Sequence, residues 1–241
     1  MEPLRLFSLP NLITCANLLT GCVGIWLAAR GDSLTACYLV GLAAAFDFAD
    51  GLVARAMKLY SPVGKELDSL ADAVSFGVLP GVLMAQLLAA TPSAAVAPWV
   101  PLLGFVLTAF AALRLAKFNV DTRQTTSFVG LPTPACTLFV AALPLVAAHP
   151  HSGLGNGLLA PWLHSAGVLL ALTALLCWLM VAELPLFALK FTSLRPEPLN
   201  VLRWGFVGAA VAVVALLGWA GVPLTILLYI GLSMLPVARA D

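Results

Sequence analysis

From residue 12 to residue 29 the chain carries no charged side chain, and runs of comparable length and apolarity recur at about 34–53, 64–90, 97–117, 131–148, 162–188, 201–218 and 220–237. Inside a bilayer every backbone N–H and C=O must be satisfied within the chain, so continuous apolar runs of about 20 residues become helices. Because the runs do not alternate between apolar and polar, a membrane β-barrel is excluded. The composition agrees, with 61% hydrophobic and 10% charged residues against roughly 25% charged in soluble domains. The expectation is an all-α integral membrane protein with about eight transmembrane helices, built as a single membrane-embedded domain over residues 1–241. Eight spans of about 20 residues leave about 80 positions for loops, too few for a large extramembrane domain. The long third and sixth runs contain Pro80 and Pro185, where a tilt or kink is expected. The first run follows only Arg5 and lacks a small-residue cleavage site, so it reads as a retained helix rather than a signal peptide.

The twelve Lys and Arg residues sort by side. Arg5 precedes the first run; Arg55, Lys58 and Lys65 surround the second connection, Arg114, Lys117 and Arg123 the fourth, and Lys190, Arg195 and Arg203 the sixth; Arg239 follows the last run. Only Arg30 falls on the opposite side. Cytoplasmic loops carry the excess of Lys and Arg, which puts both termini and these connections in the cytoplasm. The segment 190–203, with two prolines and alternating charge, reads as a basic cytoplasmic loop. A net charge of +1 argues against nucleic acid as a partner, since such binding needs a clustered basic excess. Cys15, Cys22, Cys37, Cys136 and Cys177 form no C-x-x-C pair and read as small apolar packers. His149, His151 and His164 read as interfacial residues, as do Asp32 and Glu183 at the ends of spans.

Against this background, four aspartates stand inside apolar helices, in AAAFDFADGLVARAMKLYSPVGKELDSLADAVSFGVLP, residues 43–80. An aspartate near a helix centre costs roughly 2.5–3.5 kcal/mol on insertion scales, so four unpaired ones approach about 10 kcal/mol. Asp47 and Asp50 are one helical turn apart, as are Asp68 and Asp72, so each pair shares a face. A turn near residues 57–62, with Ser61-Pro62 starting the next helix, makes the two helices an antiparallel hairpin. Asp47 then lies level with Asp72 and Asp50 with Asp68, and the four carboxylates meet at one depth, about two turns from the basic turn. Clustered carboxylates repel one another unless a cation neutralises them. Hard divalent ions with oxygen ligands, Mg²⁺ or Mn²⁺, suit such a set, and two ions sharing it would form the pair used in phosphoryl transfer.

Gly51 and Ala54 remove side-chain bulk just above these carboxylates, and Gly64 does so on the facing helix. That lets a substrate approach the backbone; for Gly64, close helix packing is an equal alternative. Arg55, Lys58 and Lys65 add positive charge for phosphates.

Written out, Asp47, Asp50, Gly51, Ala54, Arg55, Gly64, Asp68 and Asp72 form D-x-x-D-G-x-x-A-R-x8-G-x-x-x-D-x-x-x-D. This resembles, without a departure, the signature of the CDP-alcohol phosphatidyltransferases. The segments PNLITCANLLTG (10–21), GKELDSLADAVSFGVLP (64–80), RLAKFNV (114–120), FVGLPTPA (128–135) and LMVAELPLFALKF (179–191) are similar to the branch of that family that accepts serine. The branch more often has Arg where Lys117 stands, which weakens bidentate recognition of a carboxylate. The last two runs carry little of the resemblance.

The resemblance implies two divalent ions on Asp47, Asp50, Asp68 and Asp72, a CDP-linked lipid along Gly51, Ala54, Arg55 and Gly64, and Asp72 as the base. It implies CDP-diacylglycerol and L-serine as substrates, phosphatidylserine and CMP as products, and a homodimer in the membrane lipid. Serine carries a carboxylate that other acceptor alcohols lack, and Arg114, Lys117 and Asn119 are the candidates for reading it, with Arg123 a weaker one. Those basic residues serve equally as membrane-side anchors. Thr14 and Asn17, polar positions near one turn apart in the first run, either face the nucleotide cavity or bond across helices. Alternative readings are a different acceptor, such as glycerol 3-phosphate, inositol or choline, and, from another class, a divalent-cation transporter.

Overall fold

Short polar caps and glycine turns decide where the apolar runs become separate helices. A computed structural model describes residues 6–59, 61–92, 97–121, 127–187 and 198–235. Helix α1 (Leu9–Ala29) opens on Ser8, whose Oγ accepts the Asn11 N–H. Helix α2 (Ser33–Met57) opens on Asp32, whose Oδ1 accepts the Thr35 N–H at 3.1 Å. The Thr35 hydroxyl and N–H hold this exposed carboxyl below the usual carboxylate range, so Asp32 is the cap of α2 rather than a free interfacial charge. Lys58, at φ 54°, takes the left-handed conformation that ends α2. Ser61 Oγ then accepts the Gly64 N–H at 2.9 Å, and Pro62 begins α3 (Pro62–Ala73).

The third apolar run does not simply kink at Pro80. It passes from α3 through a π turn, Val74–Val78, into α4 (Leu79–Ala89). Pro80 has no N–H for the carbonyl four residues back, Phe76 O, and the Thr137 hydroxyl donates to that oxygen at 3.0 Å. The Thr108 hydroxyl donates to Gly77 O, also at 3.0 Å. After a 3₁₀ turn, Val100–Phe105, comes α5 (Val106–Val120), antiparallel to α3 and α4. Gly104 permits the crossing, since a Cβ there would lie 2.5 Å from Ala85 N.

Helix α6 (Thr133–Ala148) is the centre of the molecule, buried continuously from Phe139 to Val146. Its turn at Phe76 and its later packing on α4 make it parallel to α3 and α4. Beyond it, α7 (Leu154–Leu159) and a 3₁₀ turn, Ala160–His164, meet α8 (Ala166–Val181) at 104°. Pro185 lies outside any helix, correcting the expected kink: α8 stops at Val181, and Pro185 begins β2 (Pro185–Phe187), which pairs antiparallel with β1 (Ser127–Val129). The cause is tertiary, because Gly130 N and Leu131 N capture Leu184 O and Leu179 O at 2.9 and 2.8 Å. Gly130 has φ 78°, and a Cβ there would lie 2.7 Å from Met180 O. Helices α9 (Pro198–Leu217) and α10 (Gly221–Ser233) fold back on each other at Gly218, φ 66°, so that the Phe206 and Tyr229 rings stand 5.6 Å apart.

Among the described residues five helical stretches, or six if the bent pair is one span, are long and apolar enough to cross a membrane, with the folded-back pair α9 and α10 counted as one stretch, Leu199–Ser233. The eight apolar windows exceed that number partly because α6, with 16 residues, is about 24 Å long, short of a hydrocarbon core of about 30 Å. Leu19, Val23, Trp26, Tyr38, Leu42 and Phe48 are exposed along α1 and α2, as helices bathed in lipid require. The chain is a multi-pass membrane protein. Of the expected basic loop 190–203, residues 190–197 lie outside the described residues, as does Arg123, whereas 198–203 are the first residues of α9 and Arg203 is buried there, which corrects that part of the loop to helix.

Candidate active site

The C-terminal half of α2 carries Asp47 and Asp50, and α3 carries Asp68 and Asp72; α1 packs on both helices and bonds Asp50 and Asp72. Carboxylate oxygens of Asp47, Asp50 and Asp68 lie within 4.8 Å of one another. Asp47 is also within hydrogen-bonding reach of Asp68 and Asp72. One oxygen of Asp68 is buried with no hydrogen-bond partner, and so is Asn17 Oδ1. A hard cation satisfies such oxygens, and an all-carboxylate donor set suits Mg²⁺, Mn²⁺ or Ca²⁺ rather than a soft metal. The residues therefore fit a divalent ion.

Helix α1 holds the carboxylates from the side. The Thr14 hydroxyl donates to Asp50 Oδ2 at 2.6 Å, and Asn17 Nδ2 donates to Asp72 Oδ1 at 3.5 Å. Of the two readings open for Thr14 and Asn17, bonding across helices is the one seen for both. Thr14 also lines a cavity of ≈ 220 Å³ beside the cluster, together with Asn11, Gly51, Ala54 and Gly64. Asp50, Ser61, Lys65 and Asp68 complete its polar wall. A Cβ at Gly64 would lie 3.0 Å from Asn11 Oδ1 and 3.1 Å from Ser61 Oγ, and one at Gly51 would lie 3.3 Å from Arg55 Nη1. Both glycines thus keep side chains out of the cavity wall. An acidic cluster at one end, with Lys65 in the wall and Arg55 beside Gly51, can take a metal-bound diphosphate. Asn11 was not singled out by the sequence reasoning; the signal was there, since polar Asn11, Thr14, Asn17 and Thr20 recur every three residues in a mostly apolar helix.

The three acceptor candidates part company. Arg114 is buried, its guanidinium 4.8 Å above the Phe118 ring, and Asp72 is the carboxylate whose charge reaches it. Lys117 Nζ instead donates to Glu183 Oε1 and Val181 O, each at 3.3 Å. Glu183 is therefore an ion-pair partner tying α5 to the end of α8. Asn119 Nδ2 donates to Ser69 Oγ at 2.9 Å, and its carbonyl accepts from Lys65 Nζ at 3.4 Å.

Comparison with known proteins agrees with this arrangement. The family model of the CDP-alcohol phosphatidyltransferases matches residues 7–179. A CDP-diacylglycerol–serine O-phosphatidyltransferase of Helicobacter pylori is 37% identical over 158 residues, 65% of this chain and 64% of the relative. One of the same name from Mycobacterium leprae is 32% identical over 197 residues, 78% of this chain and 61% of the relative. An archaetidylserine synthase of Methanothermobacter thermautotrophicus is 36% identical over 142 residues, 57% of this chain and 58% of the relative. The chain thus spans somewhat less than two thirds of the length of these relatives. With a match that runs from the first helix through the eighth and takes in the whole carboxylate cluster, the chain belongs to the CDP-alcohol phosphatidyltransferase family.

Proposed function

We propose that this chain transfers the phosphatidyl group of CDP-diacylglycerol to the hydroxyl of L-serine, giving phosphatidylserine and CMP. The observation that carries the reading is the carboxylate cluster opening onto a cavity walled by Gly51, Ala54 and Gly64. The names of the relatives support the donor and the acceptor. Asp47, Asp50, Asp68 and Asp72 would hold two divalent ions, Mg²⁺ or Mn²⁺, which when bound neutralise the diphosphate and the charge that builds on attacking and leaving oxygens. The small residues admit the nucleotide end of the lipid, and Arg55 and Lys65 offset its negative charge. The serine oxygen forms a bond to the phosphorus already bonded to the lipid; the bond from that phosphorus to the CMP oxygen breaks. Asp72 takes the hydroxyl proton, a role open to a carboxylate within reach of the nucleophile. Arg114, a buried cation on which the charge of Asp72 acts, is the primary acceptor-binding residue; Lys117 and Asn119 shape the same end from their bonds to Glu183 and Ser69.

The whole chain acts as one membrane-embedded catalytic domain and as a homodimer. The site and both termini face the cytoplasm, in keeping with eleven of the twelve Lys and Arg. The test is CMP release from CDP-diacylglycerol by the detergent-purified chain with Mg²⁺ or Mn²⁺, comparing serine with glycerol 3-phosphate, inositol and choline. Metal-dependent release with serine alone, absent in Asp47→Asn, is the expected result. Release with another alcohol reassigns the acceptor; ion flux without CMP identifies a transporter. Asp72→Asn is expected to bind CDP-diacylglycerol as the wild type does while losing turnover by at least about 100-fold, and near-normal turnover would remove Asp72 as the base.

A further inference from the structure

Two buried donors near Asp72 have no partner. Thr133 is fully buried, and its hydroxyl makes no hydrogen bond; Arg114 is 5% exposed, and its Nη2 makes none. A buried polar group without a partner is costly and uncommon, and two at one level call for a shared explanation. Their register is fixed by neighbouring bonds. Along α5, Thr108 bonds Gly77 O and Asn119 bonds Ser69 Oγ, so Arg114, between them, stands level with Asp72, whose charge it feels. Along α6, Thr137 bonds Phe76 O. Thr133 is one turn earlier on the same face, and because α6 runs parallel to α3, one turn before Phe76 is Asp72. Thr133, Arg114 and Asp72 therefore stand at one level on three helices. Thr133 also opens α6, where Thr133 itself and Ala135 carry N–H groups outside the helical ladder.

Resting on the phosphatidyl-transfer reading, we propose that Thr133 and Arg114 together seat the carboxylate of the acceptor amino acid beside Asp72. A carboxylate offers lone pairs to both donors at once. The helix start adds positive potential. Seated there, an amino acid with a one-carbon hydroxyl arm brings that hydroxyl to the base. An alcohol without a carboxylate leaves both donors unpaired, which is the mode of discrimination that separates substrates most strongly. Lys117 has no part in the seat, since Glu183 and Val181 O hold its ammonium.

The experiment measures KM for L-serine and for CDP-diacylglycerol separately in the full-length wild type, Thr133→Val, Thr133→Ser and Arg114→Lys, with L-serinamide as the acceptor lacking a carboxylate. Thr133→Val is expected to raise the KM for serine about tenfold or more while moving that for CDP-diacylglycerol less than about twofold, and Thr133→Ser to restore the wild-type value. The preference for serine over serinamide is expected to shrink about tenfold in both Thr133→Val and Arg114→Lys. An unchanged serine KM in Thr133→Val, or equal rises in both KM values, overturns the seat and leaves Thr133 a packing residue. Should Thr133→Val not fold, an unchanged serine-to-serinamide ratio in Arg114→Lys overturns it. A wild type that releases CMP with an uncharged alcohol and not with serine fells the function reading itself, and the carboxylate seat with it.

Discussion

The Thr14 hydroxyl donates to Asp50 at 2.6 Å, and that bond orients one carboxylate of the acidic cluster. Groups that orient metal-binding carboxylates typically change metal affinity 10- to 100-fold when removed. Thr14→Val is therefore expected to raise the Mg²⁺ or Mn²⁺ concentration for half-maximal CMP release by about 10- to 100-fold, with Thr14→Ser close to wild type. A metal titration unchanged in Thr14→Val would make the bond a packing detail. The faces of the aspartates were legible in the sequence, because helical spacing alone puts Asp47 with Asp50 and Asp68 with Asp72. The partners were not. Whether Thr14 reaches a nucleotide or an aspartate depends on how α1 is rotated against α2, which no local pattern encodes. Nor did a basic sequence tell Arg114, buried and stacked on Phe118, from Lys117, paired with Glu183.

Elements with local punctuation were the readable ones. The Ser61-Pro62 start of α3 rests on a cap and a proline within four residues. By contrast, the π turn at Val74–Val78 depends on hydroxyls of Thr108 and Thr137, supplied by two other helices. The end of α8 depends on backbone donors from Gly130 and Leu131, about fifty residues earlier in sequence. The π turn matters because it sits directly after Asp72, as such turns often do at functional sites, and α1 is pressed against it. A Cβ at Gly21 would lie 2.3 Å from Ser75 Oγ and 2.9 Å from Ser75 Cα. Gly21→Ala is thus expected to destabilise the protein by about 1–3 kcal/mol and to lower activity, because Ser75 follows Asp72 by three residues. Gly41→Ala, with nothing within 4 Å of its Cβ position, is the control expected to keep both. Thermal unfolding in detergent and CMP release check the pair, and equal midpoints would dissolve the link between α1 and the π turn.

For the molecule as a whole, the carboxylates pull against the packing that gathers them. Helices α1, α2 and α3 meet around like charges, so an ion that binds the folded site and not the unfolded chain stabilises the fold by mass action, about 2.7 kcal/mol at 100 times its Kd. Saturating Mg²⁺ or Mn²⁺ is expected to raise the unfolding midpoint by about 5–10 °C, reversed by chelation, with no rise in Asp47→Asn/Asp68→Asn. A metal-independent midpoint in the wild type would speak against ion binding by the cluster. At the opposite end, Asn156 clasps the fold, donating to His149 O and Ser152 Oγ and accepting from Ala220 N, so the site end and the clasped end need not loosen together.

The shortness of α6 has a further effect on how two unlike reactants meet. Helix α3 runs ten residues, about 15 Å, before it reaches Asp72, whereas α6 begins at that level. Above the start of α6 the chain is the irregular backbone of 130–132 and 182–184. The helix starts on this side therefore form a stair rather than a plane, with α3 already ten residues long where α6 begins. In the proposed reaction a polar amino acid would descend that stair to the carboxylates, and the diacyl chain would not have to climb out of the bilayer to meet it.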